Sequence, residues 1–482
     1  MQHSRETAAD VSKPSPPARL TRLGASVLAT ALVVALGSLA LTDAGAQIAV
    51  TNQGFVPFSG EPINYRTAPL NDPVAKLEKQ LEAGKVALDY EPGHGYLRSV
   101  LKLLDIPYDS QTLVFSKTSF QYTKIAPEHP RALYYNDDVY VGAVHDGKAI
   151  ELVSFDPMQG AIFYLLDEKK GERPRFERAE LDCTQCHIAA GTRGVPGVLL
   201  QSVYPTRAGV LATASRTLIT DQESPLSERW GGWYVSGIAQ GKTIANSVVA
   251  EDVPPSDGND ASRKLTALEV SAFDPKAYLS AQSDAVAHLV LAHQTQMHNL
   301  ITLTNYKTRI ALYEWSKANP DGGDPTKVEL PERVQAQYTK PADRLIKYLL
   351  FDNEAPLDDI SAQLQDSAFA RSFAAKGPWD SQRRSLRDFD LKSRIFRYPC
   401  SYLIYSEAFD EIPEPAKSYV YDRLLEILSG VDDSGDFAYL TPQERKDILQ
   451  ILLETKRGLP RSWQDYAVAH GLRTGHAQVA AR

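Results

Sequence analysis

One short segment of this chain carries three residue types that can do chemistry together. It reads Cys183-Thr184-Gln185-Cys186-His187, so two thiols stand three positions apart and an imidazole follows directly. Two thiols one helical turn apart can add to the two vinyl groups of one porphyrin, while the adjacent imidazole reaches the iron. The spacing therefore predicts covalent attachment of a single haem c.

Two other chemistries use paired thiols. A redox dithiol of the thioredoxin kind opens a helix after a buried strand in a βαβ unit, whereas the charged segment 175–182 precedes this motif. A structural zinc site needs two further ligands at short spacing, and no Cys or His follows nearby. Both alternatives are less consistent with the sequence than haem attachment.

The residues after the motif resemble the haem-binding loop of bacterial class I c-type cytochromes. His187 is followed by Gly191, Gly194 and a Pro196-Gly197 pair. The resemblance covers about residues 180 to 200 and implies thioether bonds at Cys183 and Cys186, with His187 as the proximal iron ligand. It also implies that a backbone carbonyl near the proline, matched here by Pro196, accepts a hydrogen bond from the other nitrogen of that histidine.

The sequence departs from that family at the sixth iron ligand. Class I proteins place a methionine some tens of residues downstream, but residues 188–287 contain neither Met nor His. The ligand must come from farther along the chain, from upstream, or from solvent or substrate. If Met or His fills the position, an electron carrier results, whereas an open position permits catalysis.

A long helix supplies the strongest distal candidates. Ser283-Asp284 can cap a helix that runs to about Lys317, before Asn319-Pro320 ends it. His293 and Met297 fall on one apolar stripe of this helix, with His298 on a flanking row. The alternative to iron ligation is that Met297 is an ordinary core side chain and that the histidines are buried with hydrogen-bond partners. The other candidates in the chain are weaker: His94, His145, Met158, His470 and His476.

Trp230 and Trp233, bracketed by glycines, have two interpretations. They can pack flat against a porphyrin, whose apolar faces must be kept from water. They can equally belong to an ordinary core strand, since tryptophan is common in any core.

The N-terminus has the features of an export signal. Basic residues precede an apolar stretch from Leu23 to Leu41, and Ala44-Gly45-Ala46 matches a signal peptidase site. The sequence predicts that residues 1–46 are removed and the protein is periplasmic. The alternative is a retained anchor in the inner membrane, since nineteen apolar residues can just span a bilayer.

Composition excludes several classes of function. The 482 residues carry a formal charge of -8 with no basic run, so nucleic-acid binding is not expected. Three cysteines do not make a disulfide scaffold, and Cys400 is most simply a buried apolar side chain. No P-loop, GxSxG or HExxH motif appears, so kinase and hydrolase functions have no support.

The periodicity predicts an α+β fold. Four β-rich runs between residues 132 and 166 form a meander, and residues beyond 283 are largely helical. We expect a β-rich domain over 47–260 that carries the haem motif. A helical domain over 261–482 would then cover the distal haem face.

These features predict an exported monohaem c-type cytochrome that exchanges single electrons with periplasmic redox proteins. Its size exceeds what an electron carrier needs. The alternative is therefore a haem oxidoreductase of peroxidase or oxidase type, with an open or displaceable distal site. A third hypothesis is a redox sensor or assembly module whose helical half binds a protein.

Overall fold

An antiparallel sheet organises the first half of the chain. In the computed structural model, which describes residues 55–239, 241–268 and 273–475, seven strands lie in the order β6-β5-β4-β3-β2-β1-β9. Their bounds are β1 Thr112–Val114, β2 Arg131–Tyr135, β3 Val139–Ala143, β4 Ala149–Asp156, β5 Gly160–Asp167, β6 Glu177–Arg178 and β9 Trp233–Tyr234. The predicted meander is confirmed as β2 to β5, since each of these strands pairs with the next.

Two small hairpins complete the β structure. They pair β7 (Gln201–Val203) with β8 (Thr217–Ile219), and β10 (Ser247–Val249) with β11 (Leu265–Ala267). The predicted leader, residues 1–46, lies outside the described residues, so the export signal stays a prediction.

Helices dominate the second half. The helices are α1 Pro73–Glu82, α2 Leu97–Leu103, α3 Glu180–His187, α4 Ala285–Ala318, α5 Glu332–Leu349, α6 Ala368–Ala374, α7 Glu407–Asp410, α8 Ala416–Ser429, α9 Pro442–Thr455 and α10 Arg461–Ala469. The chain is therefore α+β, with a sheet-rich N-terminal half and a helical C-terminal half, as the sequence predicts. In the described part of the chain, no helix combines the length and apolarity that crossing a bilayer requires.

The long helix α4 begins where the sequence predicts. Asp284 caps it, because its carboxylate accepts hydrogen bonds from the backbone N–H groups of Val286 and Ala287. The sequence predicts that one apolar stripe of α4 faces the core. In the structure every residue from Ala285 to Tyr306 is buried, so this part of the helix is covered on all sides and not along one stripe. A helix covered on all sides must bury polar side chains too, and each of these needs a partner.

The alternation of side chains along the strands separates two cores. One face of the sheet carries Tyr140, Phe155 and Phe163 and packs towards α4 and the other C-terminal helices. The opposite face carries Val141, Ile162 and neighbours that pack against α1 and α2. The first core thus combines residues from both halves of the chain, and a domain boundary near residue 260 stays a prediction.

Candidate functional site

The CxxCH motif forms a short helix, α3, whose histidine contacts strand β5 of the sheet. β6 pairs with β5, and α3 follows it at once. The ring of His187 lies 4.9 Å from that of Phe163, measured between centroids, at a tilt of 48°. Cys183 packs against the larger core, while Cys186 is exposed and His187 is half-buried. Cys183 is therefore partly shielded by the core, whereas Cys186 lies at the surface.

The backbone of Gly197 fixes His187 through two hydrogen bonds. The Gly197 N–H donates to the carbonyl of His187 at 3.0 Å, and the imidazole Nδ1 lies 2.9 Å from the Gly197 carbonyl. A carbonyl can only accept, so Nδ1 carries the proton and Nε2 is left with its lone pair. Burial lowers the pKa of His187, which keeps the ring neutral. Metal-binding histidines are held in this tautomer by the same kind of bond.

The carbonyl partner differs by one residue from the predicted one. The Pro196 carbonyl accepts instead from the backbone N–H of Ala161 on β5, at 3.3 Å. Pro196 thus ties the loop to the sheet, and the next residue faces the histidine. The carbonyl that accepts from His187 is therefore near the proline, as the loop resemblance implies, but it belongs to Gly197 and not to Pro196.

Helix α4 supports this loop from behind, a feature that sequence reasoning missed. The Asn299 amide accepts from the Val198 N–H at 3.0 Å and donates to the Val198 carbonyl at 2.7 Å. A Cβ on Gly197 would lie 2.1 Å from Asn299 Oδ1, so only glycine fits there. Gln296, one turn earlier, donates to the Gly191 carbonyl at 2.9 Å. The signal in the sequence is the pair of amide side chains, Gln296 and Asn299, within a helix whose prediction considered only the apolar stripe.

A cavity of about 460 Å³ opens beside the three motif residues. Its volume lies in the range of small-molecule and cofactor pockets. Cys183, Cys186 and His187 form one wall. Apolar side chains cover most of the rest: Val114, Leu133, Val153, Phe163, Leu165, Val198, Leu199, Leu200, Trp233 and Leu291. Polar groups are concentrated in Lys117, Thr118, Ser119, Arg131 and Glu151.

The residues that line this cavity are chemically compatible with a haem. Haem is a large apolar ring with carboxylate groups at one edge, and the cavity offers apolar walls together with two cationic side chains, Lys117 and Arg131. Two thiols and an imidazole with an available Nε2 lie on the same wall. The donor set therefore matches covalent attachment at Cys183 and Cys186 with His187 towards the iron.

The two tryptophans separate in the structure. Trp233 lines the cavity, and its indole N–H donates to the Gln201 carbonyl at 2.8 Å. Trp230 is buried in the core, with its ring 5.8 Å from that of His288. The porphyrin interpretation remains available for Trp233, and the core interpretation describes Trp230.

The three predicted distal residues are not among those that line the cavity. His293 is buried with Nδ1 2.6 Å from Gln222 Oε1 and Nε2 2.7 Å from Ser401 Oγ, so both nitrogens have partners. Met297 is fully buried in the larger core. His298 stacks on Phe155 at 3.9 Å and contacts the Tyr140 hydroxyl at 2.9 Å.

Helix α4 reaches the cavity through other residues, Leu291 and Thr295. The expectation that the helical half covers the distal haem face stays a prediction. In this structure α4 supports the loop of His187 and contributes an apolar wall to the cavity. Burial lowers the pKa of His293 and of His298 to about 3, as expected of neutral core histidines.

The remaining candidate ligands lie elsewhere or outside the described residues. His94 and His145 line a separate open cleft, Met158 contacts Asn305 of α4, and His470 is the C-cap of α10. His476 falls outside the described part of the chain. Cys400 is fully buried, and burial raises the pKa of its thiol, as expected of an apolar core side chain.

Comparison of the chain with protein-family models, with curated proteins and with solved structures finds no match in any of the three.

Proposed function

We propose that this protein is an exported monohaem c-type cytochrome that transfers single electrons through a haem bound at Cys183, Cys186 and His187. The observation that carries the proposal is the paired hydrogen bonding between His187 and Gly197 beside an apolar cavity. A haem bound there supplies an iron that changes its oxidation state by one electron.

The side chains of this chain have defined tasks around that group. His187 presents Nε2, and the Gly197 carbonyl holds the proton on Nδ1, which sets the orientation and basicity of the ring. Asn299 fixes the loop that carries this carbonyl. Phe163, Trp233 and Leu291 give the cavity apolar walls, and an apolar environment changes the reduction potential of a redox group.

The position of the thiols supports haem attachment over a redox dithiol. Reactive thiols of the dithiol kind stand at the N-terminus of a helix, where the backbone N–H groups stabilise a thiolate. Here Cys183 and Cys186 are the fourth and seventh residues of α3, and the last residue is the histidine. The strand before α3 has only two residues and lies at the edge of the sheet.

A second function is favoured by one feature of the cavity. Among the described residues that line it, His187 is the sole imidazole, and no thioether is present. A haem held by Cys183, Cys186 and His187 would meet no second imidazole or thioether in this described lining and would be able to bind an exogenous small molecule at its iron. The alternative is therefore a haem oxidoreductase of the peroxidase or oxidase type, which acts on a bound oxidant such as a peroxide.

Location and partners follow from the proposal. Covalent haem attachment takes place outside the cytoplasm, so the predicted export signal and the motif support each other. We propose that the partners are periplasmic redox proteins and that the protein reaches the membrane only if the leader is retained.

Absorption spectroscopy of the full chain tests the proposal. The chain is co-expressed with a haem c maturation system, and covalent haem is measured by protein mass and by the spectrum after reduction. We expect one haem in the wild type and in the control Cys400→Ser. Loss of the covalent adduct is expected in the double variant Cys183→Ser/Cys186→Ser. A wild type without haem, with a disulfide between the two motif cysteines, would favour the dithiol.

Carbon monoxide separates the carrier from the enzyme. A reduced spectrum that does not change with carbon monoxide indicates an occupied sixth position and an electron carrier. A spectrum that shifts indicates an open position and would support the haem oxidoreductase instead.

A further inference from the structure

Arg131 lies flat on the sheet inside the cavity because its neighbour has no side chain. Its strand β2 pairs with β3, and Gly142 of β3 faces the guanidinium. A Cβ on Gly142 would lie 2.3 Å from Arg131 Nη2 and 2.7 Å from Nε. No real side chain fits at that distance, so glycine at this position is what allows the guanidinium to occupy the cavity floor.

Glu151, on the strand beyond Gly142, holds the guanidinium in place. Arg131 Nη2 donates to its carboxylate at 2.5 Å. Glu151 is itself fixed, because Ser119 Oγ donates to both carboxylate oxygens at 3.2 Å and Gln121 Nε2 donates at 3.0 Å. The ion pair is largely shielded, with side-chain exposure of 19% for Arg131 and 14% for Glu151. The arrangement is rigid before any ligand enters.

One donor of this hydrogen-bonded group is unpaired within the described part of the chain. Arg131 Nε is buried and has no hydrogen-bond partner among the described residues. A buried N–H without a partner is costly and calls for an explanation, of which an absent ligand is one. Arg131 lines the cavity, and Lys117, a second cation, lines it too. The polar part of the cavity therefore brings together the guanidinium of Arg131, held by Glu151, and the ammonium of Lys117.

We propose that Arg131 is an anion-receiving subsite of this cavity and that its ligand is a carboxylate. A guanidinium matches the planar geometry of a carboxylate better than any other side chain does. Two sources share this chemistry: a carboxylate of the bound haem, or a free small carboxylate that enters beside it. The inference rests on the proposed haem function.

The experiment uses the haem-loaded full chain with two variants and one matched control. Arg131→Gln removes the charge. Gly142→Ala keeps every charge but forces the guanidinium from its place, so it tests position if the first variant folds poorly. Arg394→Gln is the control, because Arg394 forms a part-buried ion pair with Glu444 at 2.8 Å and is not among the residues that line the cavity.

The midpoint potential and an acetate titration followed by haem absorption are measured on all four proteins. If the haem carboxylate binds Arg131, both cavity variants have a lower midpoint potential, because an unneutralised carboxylate stabilises the oxidised iron, and acetate has no saturable effect. If the source is a free carboxylate, acetate gives a saturable spectral change in the wild type that both variants lose.

The other outcomes overturn the inference. Cavity variants that match Arg394→Gln in both measurements would show that Arg131 is structural, while the proposed haem function stands. A wild type that carries no haem would refute the proposed function, and the Arg131 subsite with it.

Discussion

His187 and Gly197 are joined by two hydrogen bonds, one in each direction. The Gly197 N–H donates to the His187 carbonyl at 3.0 Å, and His187 Nδ1 donates to the Gly197 carbonyl at 2.9 Å. Backbone and side chain are thus fixed by the same residue ten positions away. This pairing determines which ring nitrogen is available, and its support comes from Asn299 on the long buried helix.

The close packing at Gly197 makes it intolerant of any side chain. In Gly197→Ala the methyl group would lie 2.1 Å from Asn299 Oδ1, so the amide must move and release the backbone of Val198. We expect the free energy of unfolding to fall by about 1–3 kcal/mol, measured by urea denaturation. Gly60→Ala is the control, since a Cβ there meets nothing within 4 Å. Equal stability of the two variants would contradict the packing described for this loop.

Met297 is a core residue in this structure, so its removal should affect stability and not the haem. Met297→Ala deletes a fully buried side chain, and the cavity left behind costs about 2–5 kcal/mol. The haem spectrum and its response to carbon monoxide should match the wild type. A change from a six-coordinate to a five-coordinate spectrum in this variant would instead identify Met297 as the iron ligand.

Three buried histidines make the fold sensitive to mild acid. Burial lowers the pKa of His288, His293 and His298 to about 3, from an ordinary value of 6.5. Between pH 6.5 and about pH 3 these histidines bind protons in the unfolded chain but not in the folded chain. The stability that depends on the neutral histidines is therefore fully present above pH 6.5 and is lost as the pH falls towards 3. Each should cost about 1.4 kcal/mol per pH unit.

Partly buried carboxylates act in the opposite direction, so the histidine effect must be isolated by difference. Burial raises the pKa of Glu168 and Glu354 to about 7, and these groups stabilise the fold as the pH falls. The measurement is the urea unfolding free energy of the wild type and of His298→Gln between pH 6 and pH 4. The variant should lose stability less steeply, and parallel profiles would contradict a neutral His298.

The N-cap of the long helix is an independent test of the fold. Asp284 accepts from the N–H groups of Val286 at 2.8 Å and Ala287 at 3.1 Å, and Ser367 Oγ donates to both of its oxygens. Asp284→Ala removes all of these bonds and should cost about 1–2 kcal/mol in urea denaturation. Asp284→Asn keeps one acceptor oxygen and should recover part of the loss. Equal losses in the two variants would argue against the cap.

The sequence by itself determined the local features. The four β-rich runs between residues 132 and 166 predict β2 to β5. The start of α4 at Asp284 was equally readable. These features depend on neighbours within a few positions, because propensity, capping and alternation act over a single turn or strand.

Tertiary structure alone decided what surrounds each side chain. Periodicity placed His293 and Met297 on one stripe but could not show that α4 is buried on every side. Nor could it show that Gln222 and Ser401 occupy both nitrogens of His293. Asn299 is held by Val198, and Arg131 is held by Glu151. Both partners lie outside the local segment of the residue that they hold. Such pairings depend on how the sheet, the loop and the helix pack, and sequence spacing carries no record of that packing.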